Sequence, residues 1–286
     1  MPTPSALCWL PMLLFTTTSW ATELSSGISD KAFELEVTGA LKSKGVKDPK
    51  VISYIELTKE FGTTSAWALA IVQDSIPENA EWEEHGPLYI CLLKSRSPDC
   101  LDIPGATKPA ERPYSGELFV LFDARIVQAS SGDESPRLIL KTCTQPGGDG
   151  DCGIETTLYA YNKTTDRFYQ VFHNFTGRNE NQLTRFMESG PLRGYIIVDY
   201  PTENAPYAYW VEVYRQQGVG NYTQILRYRG GTAYGDGNPL AVIDSEMPET
   251  LRRLGLWQKG DPLPVPATLP ARCTTLFMRH AEEWCN

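Results

Sequence analysis

The sequence predicts a mainly β fold: repeated antiparallel sheet units, arranged as propeller-like blades or a sandwich, behind a short N-terminal helical segment. Three observations carry this. From Thr64 to about Gly230 apolar and polar residues alternate in short Tyr-, Val-, Ile- and Phe-rich runs, the period of half-buried strands. The runs are separated by Gly, Pro, Asn and Asp clusters, and the 23 Gly and 21 Pro of the 286 residues favour turns over long helices. A strand–turn–strand pattern also recurs at a nearly constant interval.

In chain order, the first 21 residues hold no charged side chain, and the apolar run Leu7 to Phe15 is too brief to span a bilayer. With Ser19-Trp20-Ala21 behind it, this stretch reads as a secretory signal peptide, residues 1–21. Residues 22–62 read as a helical segment. Phe33, Val37 and Leu41 share one face before Gly45, and Asp48-Pro49 resembles a cap followed by proline at the first helical position. Val51, Ile52, Ile55, Leu57 and Phe61 then form an apolar stripe ending at Gly62.

Residues 63–230 read as the repeated β domain. Its expected strands are Trp67 to Gln73, Leu88 to Leu93, Leu118 to Asp123, Arg137 to Thr142, Thr157 to Tyr161, Phe168 to Phe172, Tyr195 to Tyr200, Ala208 to Tyr214 and Tyr222 to Tyr228. One copy of the recurring pattern runs through Leu158–Tyr161, Phe168–Phe172 and Gly177. Another runs through Val211–Tyr214, Tyr222–Leu226 and Gly230, so Gln170 and Gln224 lie 54 residues apart. Units of this size suit propeller blades. Residues 231–286 read as a loop-rich, proline-rich C-terminal segment with a disulfide-closed tail.

Once Cys8 leaves with the signal peptide, six cysteines remain in three close pairs. Local bridges Cys91–Cys100, Cys143–Cys152 and Cys273–Cys285 are expected, each closing a loop worth roughly 2–3 kcal/mol. Disulfides and a signal peptide together imply a secreted or periplasmic protein. With 26 Lys and Arg against 35 Asp and Glu, the net charge of −9 argues against nucleic-acid partners. No later stretch is apolar for long enough to span a membrane.

Motifs for nucleophilic, nucleotide-dependent or zinc chemistry are missing, so the sequence points away from catalysis and calls for no cofactor. Leu276 to Glu282 resembles the Arg-His-Gly-Glu motif of the histidine phosphatases, in which the histidine accepts phosphate. The likeness covers seven residues, and His85 and His173 lack the family's context, so a disulfide-tethered tail is the expected reading. Asp149, Asp151 and Glu155 form an acidic loop that is a weak calcium candidate. The place to look first is 230–249, where Tyr234, Asp236, Asn238, Asp244 and Glu246 follow glycines that allow close backbone approach. Tyr207 and Tyr209 add aromatic surface for a protein or carbohydrate partner.

The expected function is therefore an exported, disulfide-stabilised binding protein, of inhibitor or immunity type. The alternative is an exported hydrolase using carboxylates of the 230–249 loop. Sequons at Asn162, Asn174 and Asn221 complete the inventory.

Overall fold

A computed structural model describes residues 31–76, 86–95, 118–129, 135–144, 153–177, 182–218 and 220–286. The stretch expected to be a signal peptide, Cys100, Cys152, Asp149 and Asp151 lie outside the described residues. About half the chain is strand, in several antiparallel sheets.

Helix α1 (Lys31–Ser43) buries Val37 and Leu41. Its end is closed by amide bonds from Gly45 to the Lys42 carbonyl and from Val46 to the Leu41 carbonyl, with Gly45 at φ 96°. That paired closure needs a residue with positive φ, which glycine adopts without a Cβ clash.

Beyond it the structure departs from the helical expectation for 49–61. Lys50–Glu56 is strand β1, and the helix shrinks to one turn, α2 (Thr58–Phe61). Val51, Ile52 and Ile55 are β-branched and stiff in a helix, and pairing with the next strand satisfies the backbone. Asp48 caps no helix; the Lys47 and Asp48 amides donate to the Asp74 carboxylate at 3.2 and 2.7 Å. A register shift between Val51 and Ser53 hides the alternation that would have announced a strand.

Strand β1 forms a three-stranded sheet with β2 (Trp67–Gln73) and β3 (Leu88–Lys94). The second sheet is a meander of β4 (Leu118–Gln128), β5 (Pro136–Thr144), β6 (Gly153–Asn162) and β7 (Arg167–Gly177). The third is a meander of β8 (Leu183–Phe186), β9 (Ile196–Pro201), β10 (Ala208–Gln216) and β11 (Tyr222–Ala233). The two stretches that read as copies in the sequence lie on the last two strands of the second and third sheets. In each closing hairpin one residue is skipped just after the shared glutamine, Val171 after Gln170 and Ile225 after Gln224.

The sheets stack face to face. Helix α1 covers one face of the first sheet, through Val37 and Leu41 on Ala68, Ala70 and Val72. The other face puts Trp67, Leu69 and Ile71 against Leu138, Leu140, Tyr159 and Phe168 of the second. The second sheet's far face puts Ile139, Leu158 and Phe172 against Phe186, Ile196, Val198 and Tyr222 of the third. Two short helices, α3 (Val242–Ser245) and α4 (Met247–Arg253), cap the outer face through Ile243, Met247 and Leu251. Because the middle sheet is covered on both faces, Leu138, Ile139 and Leu140 are all buried although they alternate in direction.

A C-terminal hairpin, β12 (Leu276–Arg279) with β13 (Glu282–Cys285), is closed by the Cys273–Cys285 disulfide and packs on α3 and α4. Cys91 and Cys143 are also disulfide-bonded. No helix among the described residues is long and apolar enough to cross a membrane.

One polar cluster ties the first two sheets together. Asp166, at φ 48°, accepts hydrogen bonds from Ser65 Oγ (2.5 Å), Trp67 Nε1 (2.9 Å) and Tyr161 (2.5 Å), and Lys94 Nζ lies 2.8 Å away. Burial alone would raise its pKa, but Lys94 and the three neutral donors hold it far below the usual carboxylate range. Asp166→Asn keeps a side chain that tolerates positive φ while removing the charge. Urea unfolding at pH 7 should show a loss of about 1–3 kcal/mol. Because the native pKa is depressed, that contribution is present above pH 3.8 and disappears as the pH falls below it. A deficit in the variant that persists unchanged in acid would refute the charge argument.

Candidate functional site

The 230–249 segment folds into a buried polar knot rather than an open loop. Strand β11 runs through Gly230 and Gly231 to Ala233, beyond the expected end of the β region. A Cβ on Gly230 would stand 2.7 Å from the Glu246 carboxylate, and one on Gly231 would stand 2.8 Å from Glu282 Oε1. The glycines do permit a close approach, and carboxylates of this same chain make it.

Glu246 sits between α3 and α4 and is 1% exposed. Its Oε1 accepts from the Gly231 amide (2.7 Å), the Thr232 amide (2.8 Å) and the Thr232 hydroxyl (2.8 Å), and its Oε2 from Tyr228 (3.2 Å). Asp236 accepts from the Asn238 amide at 2.8 Å, a side-chain-closed turn. Asn238 Nδ2 donates to Ser245 Oγ and to the Glu283 carbonyl, each at 2.9 Å, which pins the C-terminal hairpin to α3.

Asp244, on α3, takes a two-pronged contact from Arg185 of β8, at 2.5 and 3.0 Å. Tyr207 and Tyr234 are exposed neighbours, joined by a 3.0 Å bond from the Tyr234 amide to the Tyr207 carbonyl. Tyr209 is 1% exposed and belongs to the core, so it offers no surface to a partner.

Beside this knot lies a cleft of about 520 Å³. Phe186 to Leu192 form one side, Met247 and Leu251 of α4 another, and the strap Pro264 to Thr268 a third. Arg185 and Asp244 reach it, as does Arg125 of β4, which pairs with Asp123 and lies 2.7 Å from Glu188. Behind them Lys141 Nζ donates to the Thr184 carbonyl at 2.8 Å. Burial, aided by Arg125 and Arg185, lowers the Lys141 pKa to about 8.

The sequence pointed to Asp244 but not to its partners, which come from strands far away in the chain. Two further carboxylates were missed. Asp199 and Glu283 are both 0% exposed, and their oxygens have no hydrogen-bond partner among the described residues. Burial raises the Asp199 pKa well above the usual range, opposed by the Leu183 amide and Arg185. Burial and then Asp244 raise Glu283 to about 7. For Asp199 a signal existed: an acid ends the apolar run Ile196-Ile197-Val198.

The remaining candidates resolve more simply. Glu155 lies 2.9 Å from His173, and no group of three His, Cys, Asp or Glu suited to a metal occurs among the described residues. His280, in the stretch that resembles a phosphatase motif, occupies the exposed β12–β13 turn at φ 58°. Asn162 and Asn221 are exposed in hairpin turns, whereas Asn174 Nδ2 is bound to Thr184 Oγ1 at 2.9 Å. Compared with family models, curated proteins and solved structures, the chain matches none of them.

Proposed function

We infer that the protein is an exported binding protein whose partner is another protein, received in the cleft beside α4. The observation that carries this reading is the cleft's make-up: Arg125 and Arg185 stand next to the apolar wall of Met247 and Leu251, beside a strap that presents Val265 at 72% exposure. An extended segment with an apolar side chain for that wall and polar groups for the paired charges beside it complements such a surface. Arginine beside apolar side chains is also a pairing that interfaces favour. An inhibitor or immunity-type role is the finer form of this reading.

The hydrolase alternative is less well supported. General acid–base catalysis needs carboxylates free to reach a substrate. Here Glu246 is saturated by four donors, Asp244 is committed to Arg185, and Asp236 closes a turn.

Immobilised residues 22–286 should capture one stoichiometric partner from the producing cell's envelope and medium. Val265→Arg alters an exposed side chain and leaves the fold alone, so it should cut recovery by about tenfold or more. Equal recovery with both proteins would move the contact off the cleft. No partner with either would end the binding reading.

A further inference from the structure

The C-terminal hairpin hangs on few contacts, and one of them is chemically awkward. Its strand β13 is held by its own backbone: the Glu283 carbonyl accepts from Asn238 Nδ2 at 2.9 Å and Ser245 Oγ at 3.0 Å. The Glu283 side chain points into the same contact, fully buried and with both oxygens unpartnered among the described residues. A carboxylate in that position is tolerable when protonated and costly when charged.

Among the described residues no cation relieves it. From α3 the facing charge is Asp244, of like sign, whose own partner Arg185 is already engaged. Glu246, just after α3, is bound to β11, and on α4 Glu249 pairs with Arg252 and Arg253. Within the hairpin, Glu282 accepts from Trp284 Nε1 at 3.0 Å, and Arg279 lies over the Trp284 ring.

The hairpin is continuous with the strap. Residues 261–272 join α4 to Cys273, and they are anchored near each end, by Trp257 Nε1 donating to the Pro262 carbonyl (3.0 Å) and by the Cys273 amide donating to the Pro270 carbonyl (2.8 Å). Between Leu263 and Leu269 no hydrogen bond joins the strap to the body among the described residues. Whatever holds the hairpin therefore also holds this wall of the cleft.

We propose that the C-terminal hairpin is a proton-dependent latch: with Glu283 neutral it docks on α3 and α4 and keeps the strap in place as a wall of the cleft, and with Glu283 ionised hairpin and strap loosen together. The effect on partner access rests on the binding reading above, but the latch itself does not. The direction follows from linkage. Docked, the carboxyl titrates near 7, and undocked it returns towards 4.5. Docking is thus strongest below pH 4.5, weakens as the pH rises towards 7, and changes no further above that. At ten-fold per unit, the docking equilibrium shifts on the order of a hundredfold.

The test is fluorine NMR of the full mature chain labelled with 5-fluorotryptophan, following Trp284 in the hairpin and Trp257 beside the strap from pH 4 to 9. Both resonances should move together to a second position as the pH rises. Glu283→Gln should hold them at the docked position throughout, while Glu282→Gln, which touches the Trp284 ring nitrogen, should displace the Trp284 resonance yet leave the Trp257 titration as in wild type. If the glutamine variant does not fold, Glu283→Leu, apolar in an apolar site, takes its place. A Trp284 signal indifferent to pH, or an unchanged titration in the Glu283 variant, would overturn the latch. A titrating Trp284 with no captured partner would sink the binding reading alone, and a captured partner with a silent Trp284 would sink the latch alone.

Discussion

Glu246→Ala is expected to lower the free energy of unfolding by about 3–5 kcal/mol, because several donors lose their acceptor at about 1–3 kcal/mol for each one left buried. Four donors converge on this carboxylate: two backbone amides and two hydroxyls. Alanine leaves the Gly231 and Thr232 amides buried beside a void, and strand β11 cannot turn its donors elsewhere. Glu246→Gln should cost less, about 1–2 kcal/mol, because its carbonyl oxygen can still accept from both amides. Urea unfolding of the two variants checks the order. The pair also separates structure from catalysis. If Glu246 works only by holding β11 to α3 and α4, the glutamine variant keeps partner capture at the wild-type level. A loss below about 1 kcal/mol in the alanine variant would mean that the amides find water, and that the carboxylate is not the knot's centre.

That carboxylate shows how much the sequence could tell. The period-two runs were legible, and Trp67–Gln73 coincides with β2, because alternation is a local property of neighbouring residues. Leu183–Phe186 was not legible, since four residues give too short a run to separate from chance. Lys50–Glu56 read as a helix because the irregularity at Val51–Ser53 breaks the alternation and leaves apolar residues at spacings a helix also uses. In the site, Gly230-Gly231 correctly announced a close approach, but glycine says only that something comes near. That the visitor is Glu246 depends on how α3 folds back across the sheet. Asp244 stood out as an acid among acids, whereas Arg185 lies 59 residues away on a strand that the sequence did not declare.

The Arg185–Asp244 pair is where the fold and the cleft depend on the same atoms, and its three variants should behave unequally. Arg185→Met strands Asp244, whose side chain is 9% exposed, near Asp199 and Glu283 without the cation that pairs with it. This should cost about 3–5 kcal/mol. Asp244→Asn should cost less, because Arg185 is 29% exposed and can turn towards water. The double variant should be more stable than Arg185→Met, since it removes the stranded charge along with its partner. The pH dependence supplies a second reading. Without Arg185, Asp199 loses a charge that favours its ionisation, so its native pKa rises further. A group whose folded pKa is raised contributes stability at low pH and loses it as the pH increases. Arg185→Met should therefore approach the wild type near pH 3.8, where Asp199 is protonated in both states, and fall behind as the pH rises in urea unfolding. A deficit that is flat across that range would show that the guanidinium acts through packing alone.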